Sequence, residues 1–417
     1  MRTLVFSILS IVVICCLMEI GIRAIFAISG NYGTWGYSET NKFSAPYVGF
    51  LNRPFDKSYA NQGGGPTVGV ARDRYGFRLD SSDDPRRDLR EKDLCEFRIF
   101  ILGGSTVAGR ALKGIDDTVP ARLETLLNEA VDSKLSYVVI NAGVGGFTSP
   151  QSLLQHIMYI RYTLRPNLIV HFNGSNDSVG SESVSPIMAY DGVEDNLHRH
   201  TERLFLSYAE RGPTDFVLEL VRTLADKSAL MFVFHKTLTN PNSWKRYWTG
   251  SAVIKPNNNS QEFDLLLRRR VDRYIYNLSI ATSLADDTVG VAYFLQPTLL
   301  PGFSGELNAK EKQYLRDGLD ESDAFFGFDR YLAKRKFFEL ASKRLQRQSL
   351  KEDSVFTHVS DLSKLFLGKN KVDSFFSDHV HYSSEGRKLI AEELFDHLSP
   401  LIKILASQGN DYHKCEQ

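Results

Sequence analysis

Phe97-Arg98-Ile99-Phe100-Ile101-Leu102-Gly103-Gly104-Ser105-Thr106 is the stretch from which the fold can be read. Six mostly apolar residues are stopped by two glycines. A short run of this kind, rich in aromatic and β-branched side chains and bounded by turn residues, reads as a buried strand. A helix follows. Thr118 can cap it, Pro120 suits its first turn, and Val119, Leu123, Leu126, Leu127 and Ala130 share one face. Tyr137–Ile140 reads as a second strand, Ser149-Pro150 opens a helix running to about Leu164, and Leu168–Phe172 reads as a third strand. Further on come a helix over Glu262–Leu284, a strand over Val289–Leu295, a largely helical region over Lys310–Gln348, a strand over Val355–Val359 and a last helix from Ser383. In that helix Ala391, Leu394, Phe395 and Leu398 form the apolar face. Strands alternating with helices predict an α/β fold built of βαβ units, with a parallel sheet and right-handed crossovers.

The remainder of the 417 residues is organised around that core. Leu4–Ile28 is an apolar run long enough to span a bilayer, interrupted by Glu19 and Arg23 at a spacing that lets them pair. It is expected to be a retained transmembrane anchor (1–28) in preference to a cleaved signal peptide, because Ala24-Ile-Phe-Ala27 has the wrong spacing for a cleavage site. Residues 29–95, rich in Gly, Pro, Tyr and Asn, are expected to form an extended prologue packed on the main domain of 96–405. That domain carries an aperiodic insertion at about 178–260, and a polar tail, 406–417, closes the chain. Lys+Arg and Asp+Glu both number 50, so charge gives no reason to expect nucleic acid as a partner. Of four cysteines, Cys15 and Cys16 lie in the apolar segment. Cys95 and Cys415 remain as a possible single bridge, which excludes a disulfide scaffold.

Three polar segments fall where successive strands end: Gly104-Ser105-Thr106, Asn141 to Ser149, and Gly174-Ser175-Asn176-Asp177. Ligands of an open parallel sheet bind outside the carboxyl ends of its strands, where the strand order switches. A 2-1-3-4-5 order would put that switch between strands one and three, flanked by Ser105 and Asn176. Far downstream, Asp378-His379-Val380-His381 sets a carboxylate three residues before an imidazole. A serine hydroxyl needs a base to take its proton, and the base needs a partner to fix its tautomer. Ser105, His381 and Asp378 supply those three groups. The backbone amides of Ser105 and Gly146 and the side-chain amide of Asn176 could receive a developing oxyanion.

These four segments resemble the SGNH/GDSL hydrolase family. Ser105 matches the first-block nucleophile, Gly146 the second-block glycine five residues after Asn141, Asn176 the third-block asparagine, and Asp378 and His381 the last-block pair. The first block reads Gly-Gly-Ser-Thr where the family has Gly-Asp-Ser-Leu. The resemblance implies a flavodoxin-like three-layer α/β/α sandwich and an ester-cleaving activity. The apolar leader, the prologue and Gly76-Phe77-Arg78 look like an anchored, envelope-facing subgroup. The expected function is thus a membrane-anchored, extracytoplasmic esterase acting on an acylated carbohydrate or lipid, with no cofactor or metal. An O-acyltransferase of surface polysaccharide, and a non-catalytic glycan-binding protein, are the alternatives.

Other features carry blander readings. His379 is a weaker base candidate than His381, His171 reads as a core residue, and His198 and His200 lack the further ligands of a metal site. Arg268–Arg270 reads as a solvated helix face, with an acidic glycan as the competing reading. Gln296, at the end of the fourth strand, is a candidate substrate-binding residue. Asparagines 173, 176, 258 and 277 lie in glycosylation sequons, of which the first two overlap the proposed site.

Overall fold

The computed structural model describes residues 10, 13–24, 42–45, 48–52, 54–55, 57–59, 69–80, 84, 86–109, 112, 114, 116–130, 135–179, 228, 230–231, 233–234, 261–318, 324–325, 328–349, 354–370, 373–408 and 415. The chain divides into two compact units, residues 1–43 with 199–253, and residues 44–198 with 254–417. In the smaller unit, residues 13–24 are helical and Arg23 pairs with Glu19 at 2.7 Å. Glu19 also accepts from the Ser228 hydroxyl and the Leu230 N–H, each at 2.8 Å. Of the expected membrane segment, only residue 10 and residues 13–24 are described. Among the described residues no helix is long and apolar enough to cross a membrane. The 178–260 insertion lies almost wholly outside the described residues.

The larger unit holds a five-stranded sheet. Its strands are β1 (Glu96–Gly103), β2 (Ser136–Asn141), β3 (Leu168–Asn173), β4 (Gly290–Leu295) and β5 (Thr357–Asp361). They lie in the order β5-β4-β3-β1-β2, every neighbouring pair parallel. The central strands β1, β3 and β4 are buried at every residue, as an apolar strand covered on both faces must be. Leu102 and Gly103 of β1 lie opposite His171 and Phe172 of β3. The carboxyl ends of these two strands are therefore level, with β2 on the far side of β1.

Side-chain alternation along β1 assigns the two outer layers. Ile99 and Ile101 pack with Leu123 and Leu127 of α2 (Val119–Ala130) and with Ile390, Leu394 and Leu398 of the C-terminal helix Ser384–Gln408. Phe100 and Leu102 point the other way, into a cluster with Ile160, Leu164 and Ile169. On that same side, Val291, Tyr293 and Leu295 of β4 meet Val271, Tyr274 and Leu278 of the helix Gln261–Ser283 and Phe337, Phe338 and Ala341 of the helix Arg330–Ser349. Fully burying one such side chain stabilises by about 1.5–3 kcal/mol, which makes the sheet the rigid base of the site.

Two departures from the sequence reading have local causes. The Lys310–Gln348 region is broken: one helix, Ala309–Gly318, ends at a glycine, and two short antiparallel strands precede the next helix. The helix from Ser149 is α-helical only to Gln155 and then widens into a π-turn, His156–Ile160. That turn seats buried His156 against His171, ring nitrogens 3.0 Å apart. The prologue contributes backbone to the sheet edge, where Arg78 donates its N–H to the Asn141 carbonyl at 3.1 Å. Cys415 forms a disulfide with Cys95, 320 positions away, at the entrance to β1.

Candidate active site

The Ser105 segment is shaped by its glycines. A side chain on Gly104 would put its Cβ 2.4 Å from the Asn176 amide nitrogen. Ser105 then opens α1 (Ser105–Ala108), a single helical turn closed by the N–H of Gly109 on the Ser105 carbonyl at 3.0 Å. Asn141 braces this turn from the end of β2. Its side-chain nitrogen donates to the Val107 carbonyl at 2.9 Å, and its side-chain oxygen accepts the Gly143 N–H at 3.1 Å. Arg78 grips the other end, donating to the carbonyls of Ala108 at 3.0 Å and Gly109 at 3.3 Å.

The three second-block glycines take different places. Gly143 packs behind the Ser105 turn, where a Cβ would lie 2.3 Å from the Ala108 nitrogen. A Cβ on Gly145 would lie 3.9 Å from the Ser105 Cβ. Gly146 holds φ +89°, a left-handed conformation that favours glycine, immediately before Phe147. The Phe147 carbonyl accepts the Asn176 side-chain amide at 2.8 Å, which sets the Asn176 amide beside both the second-block loop and Gly104. Next to it, Asp177 accepts the N–H and the hydroxyl of Ser149 at 2.9 and 2.6 Å, so the second and third blocks are tied together. Burial raises the Asp177 pKa, against the pull of these bonds.

The last block supplies the imidazole. Asp378 folds back on its own turn: Oδ1 accepts the N–H groups of Val380 and His381 at 2.8 and 2.7 Å. Its Oδ2 lies 2.7 Å from His381 Nδ1, and His381 Nε2 lies 2.7 Å from Ser105 Oγ. Burial works to raise the Asp378 pKa, but the hydrogen bond and charge of His381 and the two backbone amides outweigh it and hold the carboxyl below its ordinary range. An ionised carboxylate can only accept, so Nδ1 carries the ring proton. Nε2 is left to accept from the Ser105 hydroxyl. His381 itself is buried, 5 % exposed.

The turn that carries His381 is held from behind. The Tyr382 hydroxyl donates to the Pro297 carbonyl at 2.9 Å, and Gln296 donates its amide to that hydroxyl at 3.2 Å. Gln296 is 2 % exposed, so it sits as a buried support of the turn; the expectation that it lines a substrate pocket is corrected on that ground. Buried Arg387 donates to the Tyr382 carbonyl and pairs with Asp117 at 2.6 Å.

Several remaining residues are also placed. The His379 ring takes no part in the Ser105–His381–Asp378 chain; its backbone carbonyl accepts from Lys334. His171 is buried in the core, and burial pushes it down to about 3. Arg268 and Arg269 are exposed, whereas Arg270 turns inward to donate to the Ser178 carbonyl at 3.0 Å, which corrects the reading of three solvated arginines. Asn173 and Asn277 are buried, and Asn277 donates to Ser149 Oγ. His198, His200 and Asn258 lie outside the described residues. Sequence reasoning missed Arg78, Asn141, Arg387 and Lys334 as supports of the site. Lys334 carried a signal of its own, a cation on the apolar stripe shared with Phe337, Phe338, Ala341 and Leu345.

No protein-family model matches the chain, and no curated protein does. Among solved structures it is similar to a gut microbial diltiazem-metabolizing enzyme, at 10% identity and TM-score 0.36 over 74% of this chain and 48% of the other, so it spans about half of that protein. It is also similar to a family 3 carbohydrate esterase of Clostridium thermocellum, at 12% identity and TM-score 0.32, over 75% of this chain and 99% of the other. A third is an acetyl-xylooligosaccharide esterase from Geobacillus, at 12% identity and TM-score 0.34, over 73% and 94%. Similarities this low carry no assignment of their own.

Proposed function

We propose that this chain is a serine hydrolase of the SGNH type that cleaves an acyl ester, O-acetyl foremost, on a carbohydrate or lipid. The observation that carries the reading is the unbroken Ser105–His381–Asp378 chain, two contacts of 2.7 Å at the carboxyl ends of parallel strands. Ser105 Oγ attacks the ester carbonyl carbon while His381 Nε2 takes its proton. The oxyanion that forms lies toward the amides of Ser105, Gly146 and Asn176, each such donor contributing roughly 2.7–4 kcal/mol of transition-state stabilisation. The carbon–oxygen bond to the alcohol breaks, and the alcohol leaves with the proton from His381. Water then gives a proton to His381 and attacks the acyl-serine, releasing the carboxylic acid and restoring Ser105.

The same reading places the domain outside the cytoplasm. A Cys95–Cys415 bridge fits an oxidising compartment, and the apolar Leu4–Ile28 run fits an anchor with the amino terminus inside. The test is turnover of 4-nitrophenyl acetate by the purified full-length chain and labelling by a serine-directed phosphonate. Ser105→Ala should abolish both while leaving the circular dichroism unchanged; equal rates in the two proteins would remove the serine from the mechanism. Weighing the products formed in the presence of an acetylated oligosaccharide and a second sugar separates hydrolysis from acyl transfer.

A further inference from the structure

Lys334 lies on the helix Arg330–Ser349 among Ala333, Phe337, Phe338 and Ala341, and it is 1 % exposed. An ammonium carried that deep is costly unless it is paired and hydrogen-bonded. Its Nζ donates to the His379 carbonyl at 3.0 Å, within the turn that runs from Asp378 to His381. Among the described residues, Asp378 supplies the charge that acts on it. The turn is thus held at two points: Asp378 Oδ1 binds the amides of Val380 and His381, and Lys334 binds the carbonyl between them and Asp378.

We infer that Lys334 is a positioning residue of the proposed reaction, a buried cation that fixes the Asp378–His381 turn against Ser105. The inference rests on the serine-hydrolase reading above. The hydrogen bond to His379 sets the path of the backbone that aims His381. The ammonium charge also attracts the Asp378 carboxylate that orients the ring. Burial pushes Lys334 down to about 8 while the Asp378 charge works against that, so the ammonium form prevails at neutral pH.

Several charged and titratable groups on the elements packed against this helix have partners of their own. Arg270 and Asp177 act on each other, and Asp361 accepts from Ser342 Oγ. Asp264 pairs with Lys336, and Asp272 pairs with Arg344. Tyr274, buried beside Phe337, is held protonated by burial. From the Asp378–His381 turn, the groups that act on Lys334 are the Asp378 carboxylate and the His379 carbonyl.

The test is kcat and KM for 4-nitrophenyl acetate with the purified full-length chain, with active sites counted by a serine-directed phosphonate. Lys334→Met keeps the length and removes the donor to His379. With that turn released, kcat per labelled site should fall roughly tenfold or more with KM unchanged. A merely structural role would lower the labelled fraction and leave kcat per labelled site native, and that result overturns the inference. Should Lys334→Met not fold, Lys334→Gln, which drops the ammonium, takes the same measurement with the same two outcomes. Ser105→Ala is assayed alongside. If it is inactive and the Lys334 variant keeps the native kcat per labelled site, the inference about Lys334 alone falls. If Ser105→Ala is active, the serine reading falls and takes the inference with it.

Discussion

Asp378→Asn separates a working triad from three polar groups that happen to touch. The carboxylate accepts three N–H groups, two from its own turn and one from His381 Nδ1. An asparagine keeps the first two through its oxygen but turns an NH2 toward Nδ1, where only an acceptor satisfies it. The ring proton must then move to Nε2. Nε2 lies 2.7 Å from Ser105 Oγ, so the hydroxyl loses the acceptor it needs. A triad with the wrong tautomer loses roughly 10⁴ in kcat, which is about 5.5 kcal/mol of barrier at ~1.36 kcal/mol per decade. The assay is kcat for an activated acetyl ester at neutral pH, with near-ultraviolet circular dichroism to confirm packing. Stability should also fall at neutral pH. The Asp378 pKa is depressed in the fold, so its ionised form contributes stability above the ordinary carboxylate range, and the amide does not replace it. Activity within about tenfold of the native protein would show that Asp378 does not set the tautomer.

Two further outcomes concern stability. Burial holds His171 at about 3 and His156 at about 2 in the fold, against an ordinary value of 6.5. Both folded values are depressed, so the unfolded chain binds more protons and stability falls as pH drops below about 6.5; between there and pH 5 the loss is roughly 2–4 kcal/mol. Urea unfolding at the two pH values checks it, and a flat curve contradicts the burial of both rings as neutral bases. Reducing the Cys95–Cys415 bridge, or Cys95→Ser, frees a loop of 320 positions and should cost about 2–5 kcal/mol. Thermal unfolding with and without reductant measures that loss, and identical midpoints would mean that the bridge does not constrain the unfolded chain.

Local pattern settled much of this molecule before any coordinates. Phe97–Leu102 is apolar at every second position on both faces apart from Arg98, which suits a strand covered on both sides, and the strand runs over Glu96–Gly103. The second, third and fourth strands lie within a residue or two of their runs, because length, β-branching and flanking glycines are properties of neighbours in sequence. The Asp378-x-x-His381 spacing was informative for the same reason: a carboxylate can bind amides two and three positions ahead of it within one turn.

The failures share one cause. Arg270 looks no different in sequence from Arg268 and Arg269, yet one position of helical rotation, 100° at 3.6 residues per turn, carries it from water into the protein. Gln296 marked the right strand end, but whether its amide meets a ligand or the Tyr382 hydroxyl depends on a loop 86 positions away. The π-turn seats His156 on His171, a contact between residues of different elements.

Taken alone, the sequence determined the alternation of strands and helices, the identities of the candidate site side chains and the turn chemistry around each, since all are decided by residues a few positions apart. Only the tertiary structure decided that Ser105 and His381, 276 positions apart, meet at 2.7 Å, that Arg78 and Asn141 brace the serine, and that Lys334 stands behind the histidine. Those contacts come from packing both faces of the sheet at once, and packing is a property of the whole chain that no short window contains.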